Sequence, residues 1–151
     1  MLLSIHRFYI NKILLSIFLF LIFPASCQAK RLYSENTYQK LWCDKHNGVM
    51  EYRLNDKTRV DCLTDTLAVE FDFANKWAEC IGQALYYGRQ TNRQPACVLI
   101  MERGEKDIKY LKRLRRAAYK KGVNMRTFTM KPEHICNPSI RSDCPHLENK
   151  P

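Results

Sequence analysis

The chain has 151 residues, 25 of them lysine or arginine and 15 aspartate or glutamate, for a formal net charge of +10. That length allows one domain around one core and excludes two comfortable ones, while the positive balance favours a polyanion or an anionic membrane surface as partner. The sequence contains no glycine-rich phosphate loop, nucleophile elbow or HExxH helix, which excludes the enzyme classes built on them.

Residues 1–29 read as a secretory signal. Arg7 and Lys12 give a basic start, 13–23 is a hydrophobic run, and Pro24 and small residues follow, so that Cys27 and Ala29 fall at −3 and −1 if cleavage precedes Lys30. The run is shorter than the roughly 20 apolar residues that a membrane helix needs. An uncleaved anchor and lipidation at Cys27, within "PASC", are the other two outcomes of such a segment. Cleavage removes two basic residues and no acid, leaving an exported, periplasmic or secreted chain with 23 basic and 15 acidic residues. Six cysteines remain: Cys43, Cys62, Cys80, Cys97, Cys136 and Cys144. An even number in a small exported domain predicts disulfides, and the sequence does not choose the pairing. Cys136 and Cys144 bracket a short loop and make a plausible local pair, whereas Cys62, Cys80 and Cys97 lie in apolar elements and suit buried thiols equally well.

In the domain proper, 30–130, Ser34 is a helix cap and 35–46 a helix with Tyr38, Leu41 and Trp42 inward, stopping at Gly48. "VMEYRL" alternates as a strand, "NDK" is a turn, "TRVDCL" a second strand, "TDT" a turn and "LAVEFDF" a third strand. A helix over 75–87 carries Trp77, Ile81, Ala84, Leu85 and Gly88 on one stripe and ends at Gly88. "RQTNRQP" is a loop, and the continuously apolar "ACVLIME" is a buried strand. A helix over 107–121 with Ile108, Leu111, Leu114 and Ala118 inward, then a strand in "VNMRTFTM", complete the order αβββαβαβ. That order implies an α/β fold, a mixed sheet flanked by helices. Residues 131–151 form a Cys- and Pro-containing C-terminal tail, in which His134, Cys136, Cys144 and His146 offer a zinc set as the alternative to a bridge.

The acids are the informative feature. Strand residues alternate between faces, so Leu67, Val69, Phe71 and Phe73 share one face and Ala68, Glu70 and Asp72 the other. Arg59 and Asp61 share a face of the preceding strand, and a short turn predicts antiparallel pairing that brings Asp61 toward Glu70. Lys76 and Gln83 lie two helical turns apart on one face. Asp61, Glu70, Asp72, Lys76 and Gln83 therefore have a geometry in which they converge at one edge of the sheet. Opposed carboxylates in an apolar setting repel unless one is protonated or a cation lies between them, and Mg²⁺ or Mn²⁺ suits such oxygen donors. Surface salt bridges to Arg53, Arg59 and Lys76 on a solvated strand face are the alternative.

The stretch "RVDCLTDTLAVEFDFANKWAECIGQALYYG…PACVLI" resembles the PD-(D/E)XK nuclease-like superfamily, with a restriction-endonuclease-like, Holliday-junction-resolvase-like core over roughly residues 35–128. The resemblance implies Asp61 and Glu70 as metal-binding acids, Gln83 as the helix glutamine of several members, and Glu35 as the additional helix glutamate of some. It departs from the pattern at Asp72, which stands where the family carries lysine; Lys76 is then a migrated lysine. The function expected is exported hydrolysis of phosphodiester bonds of nucleic acid, DNA ahead of RNA, with Mg²⁺ or Mn²⁺. Asp61 and Glu70 hold the metal, Asp72 is an auxiliary ligand, Lys76 stabilises charge or orients water, and Gln83 positions the site. Asp72 in the lysine's place also suits a catalytically inactive nuclease-fold binding module in the cell envelope.

Lys109, Lys112, Arg113, Arg115, Arg116, Lys120 and Lys121 form either a face for the phosphate backbone or a solvated helix face. Tyr86 and Tyr87 suit base stacking or a half-buried core. His46 reads as structural, and Trp42 and Trp77 as core.

Overall fold

The alternation of apolar runs and polar turns resolves into a five-stranded sheet with helices against both faces. The computed structural model describes residues 30–119 and 123–135. Helix α1 (Glu35–Lys45) precedes strands β1 (Val49–Arg53), β2 (Arg59–Leu63) and β3 (Leu67–Phe73). A 3-10 turn over Ala74–Lys76 opens α2 (Trp77–Thr91), and β4 (Gln94–Ile100), α3 (Glu105–Ala118), β5 (Arg126–Met130) and a short α4 (Pro132–Ile135) follow. The strands lie side by side in chain order. β1, β2 and β3 pair antiparallel, whereas β3, β4 and β5 pair parallel. The protein is thus α/β with one mixed sheet. The signal segment with Cys27, and the tail beyond residue 135 with Cys136, Cys144 and His146, lie outside the described residues, as do Lys120 and Lys121.

Each face of the sheet has its own core. Leu67, Val69, Phe71 and Phe73 of β3 join Ala96, Val98 and Ile100 of β4 beneath Tyr38, Trp42 and Cys43 of α1. On the other face Cys97 and Leu99 meet Cys80 and Ala84 of α2 and Leu111, Leu114 and Ala118 of α3. β4 has parallel neighbours on both sides and helices above and below, which explains its unbroken apolar run. Helix α1 starts where expected, with the Ser34 hydroxyl accepting the Thr37 N–H. His46 stacks on Trp42 at 3.6 Å between ring centroids, a structural role. Lys109, Lys112, Arg113, Arg115 and Arg116 are exposed along α3.

Several expectations change, and Leu41, expected inward on α1, is exposed, its place taken by Gln39 and Cys43 beside Tyr38 and Trp42. Gly88 does not end α2: the helix continues to Thr91 and is closed by Asn92 in the left-handed conformation, φ 53°. Gly88 is needed for close approach instead, since a Cβ there would meet the Pro95 ring at 3.0 Å. The buried stripe of α2 is Cys80, Ala84, Tyr87 and Gly88, with Leu85 exposed, because Cys80 is tied inward. Gln94 and Pro95, read as loop, belong to β4.

The ties are disulfides. Cys43–Cys62 joins α1 to β2, and Cys80–Cys97 joins α2 to β4, with Cα separations of 5.8 and 5.9 Å. Cysteines that suited buried thiols equally well are therefore bridged, one bridge on each face, which fits an extracellular or periplasmic protein. Gly48 leaves room for the first bridge, since a Cβ there would lie 2.7 Å from Cys43 Sγ. Among the described residues no helix is long and apolar enough to cross a membrane.

Candidate functional site

Strands β2 and β3 pair only over Cys62↔Val69 and Leu63↔Ala68. One residue further, at Asp61 on β2 and Glu70 on β3, the ladder ends and a fork opens. The Asp61 carboxylate closes the gap left in the backbone pairing: Oδ2 accepts the Phe71 N–H at 2.8 Å. Glu51 of β1 lies between the Met50↔Cys62 and Tyr52↔Val60 pairs, where the β1–β2 pairing is interrupted, and takes a left-handed φ of 52°. Such a conformation is costly for a residue with a Cβ and often marks a functional position.

Around the fork lies a cleft of about 640 Å³. Helix α1 contributes Glu35 and Gln39, β1 Glu51, β2 Arg59 and Asp61, β3 Glu70, and α2 Tyr87; Lys57 comes from the turn between β1 and β2. Glu70 is only 6% exposed, and its Oε2 is buried without a hydrogen-bond partner. Burial pushes its carboxyl up to about 10, reinforced by Asp61, Asp72, Glu35 and Glu51. Burial likewise holds Asp61 up at about 7, against the Phe71 N–H, with Glu35 and Glu51 adding and Gln39 opposing. Glu35 is raised by burial and by Glu51, and is partly relieved by Lys76 and Arg31. The Tyr87 hydroxyl is raised first by burial and then by Glu70 and Asp61. Four carboxyl groups thus share one partly desolvated cleft and repel one another.

The expected five residues separate into groups. Asp61 and Glu70 come together in the cleft. Asp72 is buried and lies outside the cleft lining; its Oδ1 accepts the Phe73 N–H at 3.1 Å and stands 3.8 Å from Lys76 Nζ. Burial raises Asp72 to about 7, and Lys76 draws it back. Lys76 ion-pairs with Asp72 and, at 3.2 Å, with Glu79, and makes no such pair with Asp61 or Glu70. Gln83 is exposed on α2 and does not line the cleft. Glu35 does line it. Gln39, Glu51 and Lys57 were not foreseen as site residues, whereas Tyr87, weighed for base stacking against a half-buried core, is buried and lines the cleft. Gln39 had a signal, since it lies one turn from Glu35 on the same helical face. Glu51 had none, because its conformation is not written in an alternating strand.

The donors fit a hard divalent cation. Oxygen atoms alone face the cleft from the fork, and the unpartnered Glu70 Oε2 is a buried acceptor in need of a proton or a cation. Among the described residues no three His, Cys, Asp or Glu side chains come close enough to form a full ligand set. Mg²⁺ needs no such set, since it keeps several waters and commonly takes one or two carboxylates. In the C-terminal set considered for zinc, His134 Nδ1 accepts the Lys131 N–H at 3.2 Å. No protein-family model, curated protein or solved structure matches the chain.

Proposed function

We propose that the chain is an exported, divalent-metal-dependent nuclease-like protein that hydrolyses phosphodiester bonds of nucleic acid, on the restriction-endonuclease-like core its sequence resembles. The observation that carries this reading is Glu70, buried with an unpartnered carboxylate oxygen beside Asp61 at the strand fork. Asp61 and Glu70 would hold Mg²⁺ or Mn²⁺, which supplies a water of lowered pKa and stabilises charge on the phosphate. The chain's own residues do the rest. The Phe71 N–H fixes one Asp61 oxygen, and Asp61 lines the cleft beside Gln39. Glu35 and Glu51 add negative charge that disfavours empty ionised carboxylates and favours a bound cation. Lys57 and Arg59 supply positive charge in the same cleft for a phosphate.

The test is cleavage of single-stranded DNA, duplex DNA and RNA by the oxidised protein with Mn²⁺, Mg²⁺ or EDTA, beside Asp61→Asn and Glu70→Gln. Metal-dependent cleavage should fall at least about a hundredfold in either variant, the scale of a lost electrostatic contributor to the transition state. Activity in EDTA, or unchanged activity in both variants, would refute the proposal.

One observation favours a second reading, a nuclease-fold binding module without catalysis. Lys76, the candidate migrated lysine, is engaged by Asp72 and Glu79 rather than by the fork. Metal and nucleic-acid binding without cleavage would decide for this reading.

A further inference from the structure

The walls of the cleft carry groups that the acids do not explain. Lys57 stands in the hairpin turn, where the Leu54 N–H reaches the Thr58 carbonyl at 2.9 Å, and takes φ 73°. Glycine or asparagine relaxes that conformation, yet a lysine occupies it, is exposed, and makes no ion pair among the described residues. Arg59 is paired with Glu51 at 3.0 Å but is largely exposed. An exposed pair contributes little, so its guanidinium can turn to an anion at small cost. Outside the cleft lining, Tyr86 is 42% exposed. Its hydroxyl donates to Asp56, next to Lys57, and its ring meets that of the cleft-lining Tyr87 edge to face at 5.6 Å. Tyr86 does not itself line the cleft, but it is an aromatic surface held from both sides just outside it, between Asp56 of the hairpin turn and the cleft-lining Tyr87.

We propose that the hairpin end of the cleft and the Tyr86 ring flanking it form a subsite for an unpaired nucleotide, with the base stacked on Tyr86 and the adjoining phosphate held by Lys57 and Arg59, so that the protein acts on single-stranded nucleic acid in preference to duplex. The inference rests on the reading of the cleft as a phosphodiester-cleaving site. A base within a duplex offers no free face and must first be unstacked and unpaired, whereas in a single strand it meets a fixed aromatic ring directly. The cleft, about 640 Å³ and open to solvent, has room for one nucleotide. The acidic fork and basic hairpin divide the work: one end attracts a cation and the other a phosphate.

The test is fluorescence anisotropy of the oxidised full chain with a labelled oligothymidylate and with a duplex of equal length, with Ca²⁺ in place of Mn²⁺. The single strand should bind at least about tenfold more tightly, and Tyr86→Leu should remove about tenfold of that affinity while sparing the duplex. Tyr86→Phe, which keeps the ring and loses the bond to Asp56, should retain most of the preference. Lys57→Ala should weaken both nucleic acids and lower the salt dependence by about one released counterion. Equal binding of the two forms, or a Tyr86→Leu protein that keeps the preference, overturns the subsite. If Mn²⁺-dependent cleavage lost in Glu70→Gln persists alongside either result, the fork still cleaves phosphodiesters and only the subsite falls. A folded protein that neither binds nor cleaves any nucleic acid overturns both.

Discussion

At the scale of single residues, the site is a set of carboxyl groups kept from comfortable ionisation. Asp61 and Asp72 are held up at about 7 and Glu70 at about 10, each chiefly by burial. A carboxyl whose folded pKa is raised binds its proton more tightly in the native than in the unfolded state, so metal-free stability falls as pH rises above about 4 toward the native value. For Asp61 and Asp72 the fall is complete near neutrality, and for Glu70 it continues toward about 10. Thermal melts in EDTA should therefore show Tm declining from mild acid to about pH 8. Glu70→Gln, which cannot ionise, should raise Tm there by about 4 °C or more, the shift expected for roughly 1 kcal/mol in a domain of this size. Mn²⁺ should raise Tm of the native protein above neutral pH and leave the Gln variant unmoved. Asp61 and Glu70 were legible in sequence because an acid inside an apolar strand needs a reason. Gln83 was placed by helical periodicity relative to Lys76, but the face it shares is set by how α2 seats on the sheet. The inward pull of Cys80 fixes that seating, and it leaves Gln83 exposed.

At the scale of elements, the start of α1 matters most because it carries Glu35 and Gln39 to the cleft. Glu102, just after β4, fixes it: one carboxylate accepts the Leu32 and Tyr33 N–H groups at 3.1 Å and the Tyr38 hydroxyl at 3.0 Å. Glu102→Ala should cost about 1–3 kcal/mol, since it strands three donors, and urea unfolding measures it. Phe71→Ala, which empties the face of β3 beneath Trp42, should cost about 3–5 kcal/mol by the same measurement. The strands themselves were readable, "LAVEFDF" to the residue, because a parallel-paired, doubly covered strand must be apolar on at least one face throughout. Helix ends were less so. Gly48 and Gly88 have the composition of stop signals but serve close packing, and Asn47 and Asn92 take the left-handed turns that close the helices. A glycine's two uses, conformational freedom and absence of a side chain, look alike in a sequence.

At the scale of the whole molecule, the two bridges hold each helical layer to the sheet. They span 19 and 17 residues, and each should contribute about 3 kcal/mol by restricting the unfolded chain. Reduction with dithiothreitol should lower Tm markedly, and Cys80→Ala with Cys97→Ala should do so by less than the loss of both bridges. Pairing was unreadable from the sequence because it depends on which helix covers which face. Those contacts arise only once the sheet has formed.

Cys62 is the immediate neighbour of Asp61, and Cys43 lies one turn beyond Gln39. The bond that fastens α1 to β2 therefore also sets the separation of the two walls of the cleft. In a reducing environment that fastening is missing, and under the proposed function Asp61, Glu70 and the α1 acid Glu35 would fall out of register. Under the proposed function, oxidation would therefore act as an arming step that completes the cleft only outside a reducing compartment.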